Sequence, residues 1–265
     1  MTTGLYSQHL NDRKKLYIRN TVLALMLILF ALIAIFPIFY MIMSSFGPAV
    51  ATAGTSRSVI PRRFTLDSYK AFFSFNKYSV RWIWNSFVVA SLTVIGNVIF
   101  ASLAGYAFSK IKFKGRRWLF GMILVAMMIP YQVTQVPLYI LVVKQFKMSN
   151  TYAALILPGI VSSYNVFLAK QFFTSIPTPL LESAKLDGCS DLRFFGSIVV
   201  PLSSAIIAVV MLYQVVGIWN SYMDGLLYLS SDSKIPLQLV LREILVKNSV
   251  DGGQMGMGDD ELQRL

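Results

Sequence analysis

The chain has 265 residues, 55% of them hydrophobic and only 14% charged, against about 25% charged in soluble domains, so a soluble globule of this size is excluded. Its formal net charge of +12 points to an anionic partner; the basic residues fall between apolar runs and not on an aromatic-interleaved surface, which favours membrane lipid and argues against nucleic acid. A lone cysteine, Cys189, and a lone histidine, His9 in the polar N-terminal tail, leave no internal disulfide and no basis for a metal centre.

In chain order, the basic run "RKKLYIRN" precedes an apolar stretch too long for a signal peptide, and reads as the flank of a retained first helix over roughly 20–44. Residues 45–80 are polar and mixed. A second helix is expected over roughly 83–108 and is followed by the basic loop "KIKFKGRR". A third, over roughly 118–142, is interrupted by Pro130 and Pro137; a fourth, over 152–173, contains Pro158. A charged segment spans 174–200, and a fifth helix runs from Pro201 to about Tyr222. Each apolar run exceeds the roughly 20 residues needed to cross the bilayer, and in lipid the backbone must satisfy its own hydrogen bonds, so the runs are read as helices. The expectation is an all-α polytopic membrane protein, a single permease-like domain over 1–265 with about five transmembrane helices. The tail "GGQMGMGDDELQRL" reads as a flexible outer segment.

Lysine and arginine set the orientation. Arg13, Lys14, Lys15 and Arg19 flank the first helix, and Lys110, Lys112, Lys114, Arg116 and Arg117 follow the second. If five spans alternate, both clusters share one side, which is then cytoplasmic, and the segment 174–200 lies there too. Against the trend, the first outer loop is also basic, with Arg57, Arg62, Arg63, Lys70, Lys77 and Arg81; Lys144 and Lys147 join that face.

Within 174–200, "IPTPLLESAKLDG" has the grammar of a short helix. Thr178 suits the N-cap, Pro179 the first helical position, Glu182 the first turn and Gly188 a left-handed C-cap. Ser190 suits a second N-cap. Taken alone, this pattern also fits an ordinary amphipathic surface helix. Glu182 and Asp187 do not share a helix face, and no histidine or cysteine cluster accompanies them, which argues against a catalytic carboxylate pair.

"ESAKLDG", nine residues, then "IVVP" resembles the EAA loop of bacterial ABC importer permeases. Glu182, Ala184, Gly188, Ile198 and Pro201 match that pattern, and Asp187 matches its sugar-importer version; Ser183 stands where the pattern has alanine and Val200 where it has leucine. "FTLDSY", "NSFVVASLTVIGNVIFASLAGYAFSKIKFKG", "MMIPYQVTQVPLY" and "VVGIWNSYMDGLLYLSS" extend the likeness to the maltose-type carbohydrate permeases over about residues 20 to 240.

The resemblance implies a permease subunit of an ATP-driven sugar or oligosaccharide importer in the bacterial inner membrane, N-terminus cytoplasmic. The implied partners are a second homologous permease chain, two cytoplasmic ATPase subunits carrying ATP and Mg, and an external solute-binding protein. The coupling residues become Glu182, Ser183, Ala184, Asp187, Gly188, Ile198 and Pro201. The family also carries a sixth core helix after the last outer loop, for which the chain up to Leu265 shows no apolar run.

No phosphate-binding G-x-x-x-x-G-K-[ST] occurs in the chain, so ATP hydrolysis falls to partners and no cofactor is expected on this chain. A secondary transporter with proline-broken helices and a membrane-embedded enzyme are the alternatives; the spans carry almost no ionisable residue for ion coupling, and no histidine, aspartate or glutamate constellation for an enzyme. Amides and aromatics in the spans suit a sugar path: Gln132, Thr134 and Gln135 near the helix-three prolines, Tyr164 and Asn165 in helix four, and Gln214, Trp219, Asn220 and Tyr222 in helix five. The same residues suit interhelical hydrogen bonds or an interfacial aromatic belt equally well. The basic outer face, with the likeness to permeases for alginate and pectin fragments, suggests an acidic oligosaccharide substrate.

Overall fold

A computed structural model describes residues 2–47, 59–61 and 63–254, with side chains at 16, 19–47, 59–61 and 63–246. Arg57, Arg62, the side chains of His9, Arg13, Lys14 and Lys15, and the glycine-rich run from residue 255 lie outside the described residues. Every regular element among the described residues is helical. The chain divides into two compact units, Met1–Lys77 and Tyr78–Leu265.

The first unit holds α1 (Thr2–Ser45) and α2 (Asp67–Phe75). Arg19–Ser45 is long and apolar enough to span a bilayer, and its large side chains, from Leu23 to Ile42, are exposed, as a lipid-facing helix requires. Its C-terminal end is tied to the segment around α2. Thr65 N donates to Phe46 O at 2.8 Å, Ser68 Oγ to Gly47 O at 3.1 Å, and the Phe46 ring lies 5.9 Å from that of Tyr69.

In the second unit, α3 (Ser79–Lys110) is the central helix, about 48 Å long at 1.5 Å per residue. Its buried residues, Trp82, Ser86, Val89, Thr93, Asn97, Ala101 and Tyr106 among them, recur at three- and four-residue spacing and make one continuous stripe. Around it stand α4 (Arg116–Met128), α5 (Tyr131–Tyr139), α6 (Ala153–Ile160), α7 (Ser163–Ser175) and α11 (Ser204–Asn220). The closest approach is to α7. A Cβ on Gly105 would lie 2.7 Å from the Ala169 Cβ, so only glycine lets these backbones meet.

The expected third, fourth and fifth helices are all broken. The α4–α5 pair bends by 102° at Ile129–Pro130, and past Pro137 α5 continues as a π-helix, Ile140–Gln145. The fourth separates into α6 and α7 at Val161–Ser162, three residues after Pro158. The fifth begins earlier than Pro201: α9 (Asp191–Phe194) runs through a π-helical turn into α10 (Val200–Leu202), then bends by 82° at Ser203 into α11. Counting each bent pair once gives up to five spans. Beyond them lie two helices that were not expected, α12 (Met223–Tyr228) and α13 (Leu237–Gln254), the latter docked through buried Leu239 and Val240.

The two ends of α3 carry different structures. At its N-terminal end, Trp82 Nε1 donates to Asp232 O at 2.7 Å, Asn85 Nδ2 to Ser233 O and Ile235 O at 3.0 Å each, and Tyr152 Oη to Asn85 Oδ1 at 2.7 Å. Asn150, held at a φ of 58°, joins the same assembly through Ser231 Oγ at 2.8 Å and Lys234 Nζ at 2.7 Å. At its C-terminal end, Lys110 Nζ donates to Ile176 O at the entry to α8 (Thr178–Leu186).

Candidate functional site

The segment that the sequence singles out forms α8, a nine-residue helix standing between two longer ones. Pro177, not Thr178, occupies the N-cap, with Thr178 and Pro179 as the first two helical residues and no side-chain cap. Proline's fixed φ makes the turn into the helix and so shifts the boundary by one residue. Glu182 consequently stands beyond the first turn.

The C-terminus closes as a Schellman motif. Cys189 N donates to Ala184 O at 2.9 Å and Gly188 N to Lys185 O at 3.0 Å. Gly188 has a φ of 75°, and a Cβ there would meet nothing within 4 Å, so conformation and not space requires glycine at this position. Ser190 then caps α9, its Oγ accepting from Arg193 N at 3.3 Å.

The helix has two faces. Leu181 is buried and Ala184 partly so, on a cluster with Tyr106, Ala169, Phe173, Ile176, Phe194 and Val199. Ile198 packs on the same cluster, whereas Pro201 is exposed just before the Ser203 bend. Facing away, Glu182, Ser183, Asp187 and Gly188 are exposed, and Leu186 is 90% exposed. Leu186 thus stands on the exposed face of a short helix whose opposite face is anchored in the core. Lys185 pairs with Asp191 at 3.2 Å, fixing α8 against α9, and Tyr106 Oη donates to Asp191 Oδ1 at 3.5 Å.

The amides expected along the substrate path fall into two groups. Asn165 is buried; its Nδ2 donates to Asn97 Oδ1 at 2.6 Å and to Gln214 Oε1 at 3.1 Å. Asn97 Nδ2 donates to Ile160 O at 2.9 Å, and Gln214 Nε2 to Gly159 O at 2.9 Å. Three amides from α3, α7 and α11 thus satisfy the carbonyls left open where α6 stops, which lipid could not do. By contrast, Gln132, Tyr164, Trp219 and Asn220 are exposed and Thr134, Gln135 and Tyr222 half-buried. Tyr164 meets Tyr213 edge-on at 5.8 Å, Asn220 bonds only back to Val216 O, and Tyr222 lies beneath Arg242 at 4.4 Å.

A further polar group was not anticipated. Asp224 accepts from Tyr131 Oη, at the α4–α5 bend, and from Ser221 Oγ at 2.8 Å, joining that bend to the end of α11. Trp219, Ser221 and Asp224 line a small recess with Ser86 and Pro236. Burial pushes the Tyr228 phenol up, with the Asp224 carboxylate adding to it, so Tyr228 stays protonated. Asn97 could have been flagged as the amide inside the apolar run "VIGNVIF"; Asp224 had no comparable signal, since nothing in the sequence brings it to Tyr131.

Comparison with known proteins places these features in context. The family model described as "Binding-protein-dependent transport system inner membrane component" matches residues 97–239. The chain is 37% identical over 239 residues to the polygalacturonan/rhamnogalacturonan transport system permease protein YtcP of Bacillus subtilis, covering 88% of this chain and 81% of that one. It is 32% identical over 219 residues to the arabinooligosaccharides transport system permease protein AraQ of Halalkalibacterium halodurans, covering 81% and 77%. Among solved structures, a chain of a bacterial ABC transporter involved in the import of the acidic polysaccharide alginate superposes with a TM-score of 0.76 at 25% identity, covering 87% of this chain and 81% of that one.

Proposed function

Because this chain belongs to the family of binding-protein-dependent transport system inner membrane components, we propose that it is the membrane permease of an ABC importer for oligosaccharides, driven through α8. The observation that carries the coupling role is the division of α8 into a core-anchored face, Leu181 and Ala184, and an exposed face, Glu182, Ser183, Leu186 and Asp187. ATP and Mg belong to two cytoplasmic ATPase subunits that receive the exposed face. A second permease chain and an external solute-binding protein complete the importer. The N-terminus, the loop after α3 and α8 are cytoplasmic.

Cross-linking tests the docking. In a Cys189→Ser background, Leu186→Cys should form a disulfide with cysteines placed around the receiving cleft of the ATPase, whereas Leu181→Cys, buried in the permease, should not. Failure of Leu186→Cys to cross-link in any nucleotide state would remove α8 as the docking element.

For the substrate, the favoured reading is an acidic oligosaccharide of the uronate class. It is supported by Arg63, Lys70 and Lys77, exposed in the first unit, and Arg81, exposed at the start of α3, and by the names of the relatives that carry polygalacturonan and alginate. Gln132, Gln135, Tyr164, Trp219 and Asn220 are the side chains best able to meet the sugar, by amide hydrogen bonds and ring stacking. Asn165 and Gln214 support that path by holding the α6–α7 break in place.

A further inference from the structure

The loop between α3 and α4 and the first turn of α4 contain Lys112, Lys114, Arg116 and Arg117 and no acidic residue. Arg116 is committed to the protein: its guanidinium donates to Ile111 O at 3.2 Å and to Ser109 O at 3.4 Å, closing the loop on itself. Lys112, Lys114 and Arg117 are exposed and pair with no acceptor among the described residues. Lys112, Phe113, Gly115, Arg116, Arg117 and Trp118 line a shallow depression open to solvent.

Two features add to the charge. Gly115, at a φ of 83°, starts the 13-residue α4 with no side-chain cap, and Arg116 N donates to Phe113 O at 3.4 Å, so the positive end of that helix lies beside the cations of the loop. Trp118 is 83% exposed at the rim of the depression, next to exposed Leu119 and Met122 on α4. Cations, the positive end of a helix and an indole beside an apolar helix flank match a phosphodiester headgroup whose acyl chains run along α4. The height in the bilayer is suitable, since the loop joins the end of one span to the start of the next.

We propose that the α3–α4 loop binds the headgroup of an anionic phospholipid of the surrounding membrane. The site rests on the membrane reading of the chain. It lies at the same end as α8: Ile111 and Ala184 pack on one cluster, and Lys110 bonds the entry to α8. A bound lipid would therefore brace the base of the coupling helix. An ATPase subunit is the competing occupant; lipid is favoured because the exposed apolar residues continue from Trp118 along α4 through Leu119, Met122, Val125 and Met128, as a membrane-facing helix requires.

The test uses the whole importer reconstituted in vesicles containing bromine-labelled phosphatidylglycerol or, separately, bromine-labelled phosphatidylcholine. The Trp118 signal is taken as the fluorescence difference from Trp118→Phe. Quenching of that signal by the anionic lipid should exceed that by the zwitterionic lipid by roughly threefold or more, since each cation near an anionic headgroup adds to the attraction. Lys112→Gln/Lys114→Gln/Arg117→Gln should abolish the preference, and Lys112→Arg/Lys114→Arg should retain it. Equal quenching by both lipids would overturn the site while leaving the membrane reading intact. Absence of quenching by either would overturn both. Equal quenching together with loss of ATPase subunits from the triple variant would assign the loop to a protein partner instead.

Discussion

Asn97 shows how much one side chain can decide inside a bilayer. It is fully buried, and it holds both Asn165 and the carbonyl of Ile160. Replacing it with leucine of similar bulk strands an amide and a carbonyl where water cannot reach them. Asn97→Leu should destabilise the purified protein by about 1–3 kcal/mol, read as a lower unfolding temperature in detergent. Asn220→Ala is the contrast, since Asn220 is exposed and bonds only within its own helix; its stability should change by less than about 0.5 kcal/mol. If Asn220→Ala slows transport without moving the melting temperature, a place in the substrate path gains weight. Equal melting temperatures for Asn97→Leu and the unaltered protein would mean that the amides do not hold the break.

At the scale of elements, α8 depends on the α3–α7 contact beneath it. Gly105→Leu would force α3 away from Ala169, next to the cluster that receives Leu181. Overpacking of this kind costs about 1–3 kcal/mol, and it should also loosen α8, so that a Cys189 thiol now half-buried reacts faster with a membrane-impermeant reagent. Unchanged melting and labelling would contradict the close approach. This scale also separates what the sequence discloses from what it conceals. Apolar runs long enough to span lipid are legible because the bilayer permits little else, and Pro130 and Pro158 mark two of the breaks. The EAA-like spacing was legible in the same way, down to the left-handed Gly188, because local backbone geometry demands particular residues. The amides Asn165 and Gln214 were legible as residues suited to interhelical bonds, but not their partners; the Ser203 bend, α13 with its charged residues and the Asp224 group were not legible. The polar groups depend on partners far away in the chain, such as Tyr131 for Asp224 or Gly159 for Gln214.

For the whole molecule, a net charge of +12 acts at a distance as well as through contacts. On the proposed topology, the basic outer face would raise the local concentration of an anionic glycan and lose that influence as salt shortens the Debye length below about 8 Å. Neutralising Arg62, Arg63 and Lys77 together should slow uptake of polygalacturonate oligomers several-fold and of neutral maltodextrins less than twofold, the gap narrowing with added salt. Equal effects on both glycans would set the acidic-substrate reading aside.

On the proposed function, α8 transmits force between this chain and an ATPase. Glu182 is exposed and leaves the core untouched, so reversing its charge tests the transmission alone. The decisive measurement is ATP hydrolysis by the reconstituted importer with and without ligand-loaded binding protein. With Glu182→Lys, the permease should assemble and melt normally while stimulation falls roughly tenfold or more, the scale expected for a reversed charge in a docked interface. Full stimulation in that variant would contradict the assignment of α8 as the coupling helix.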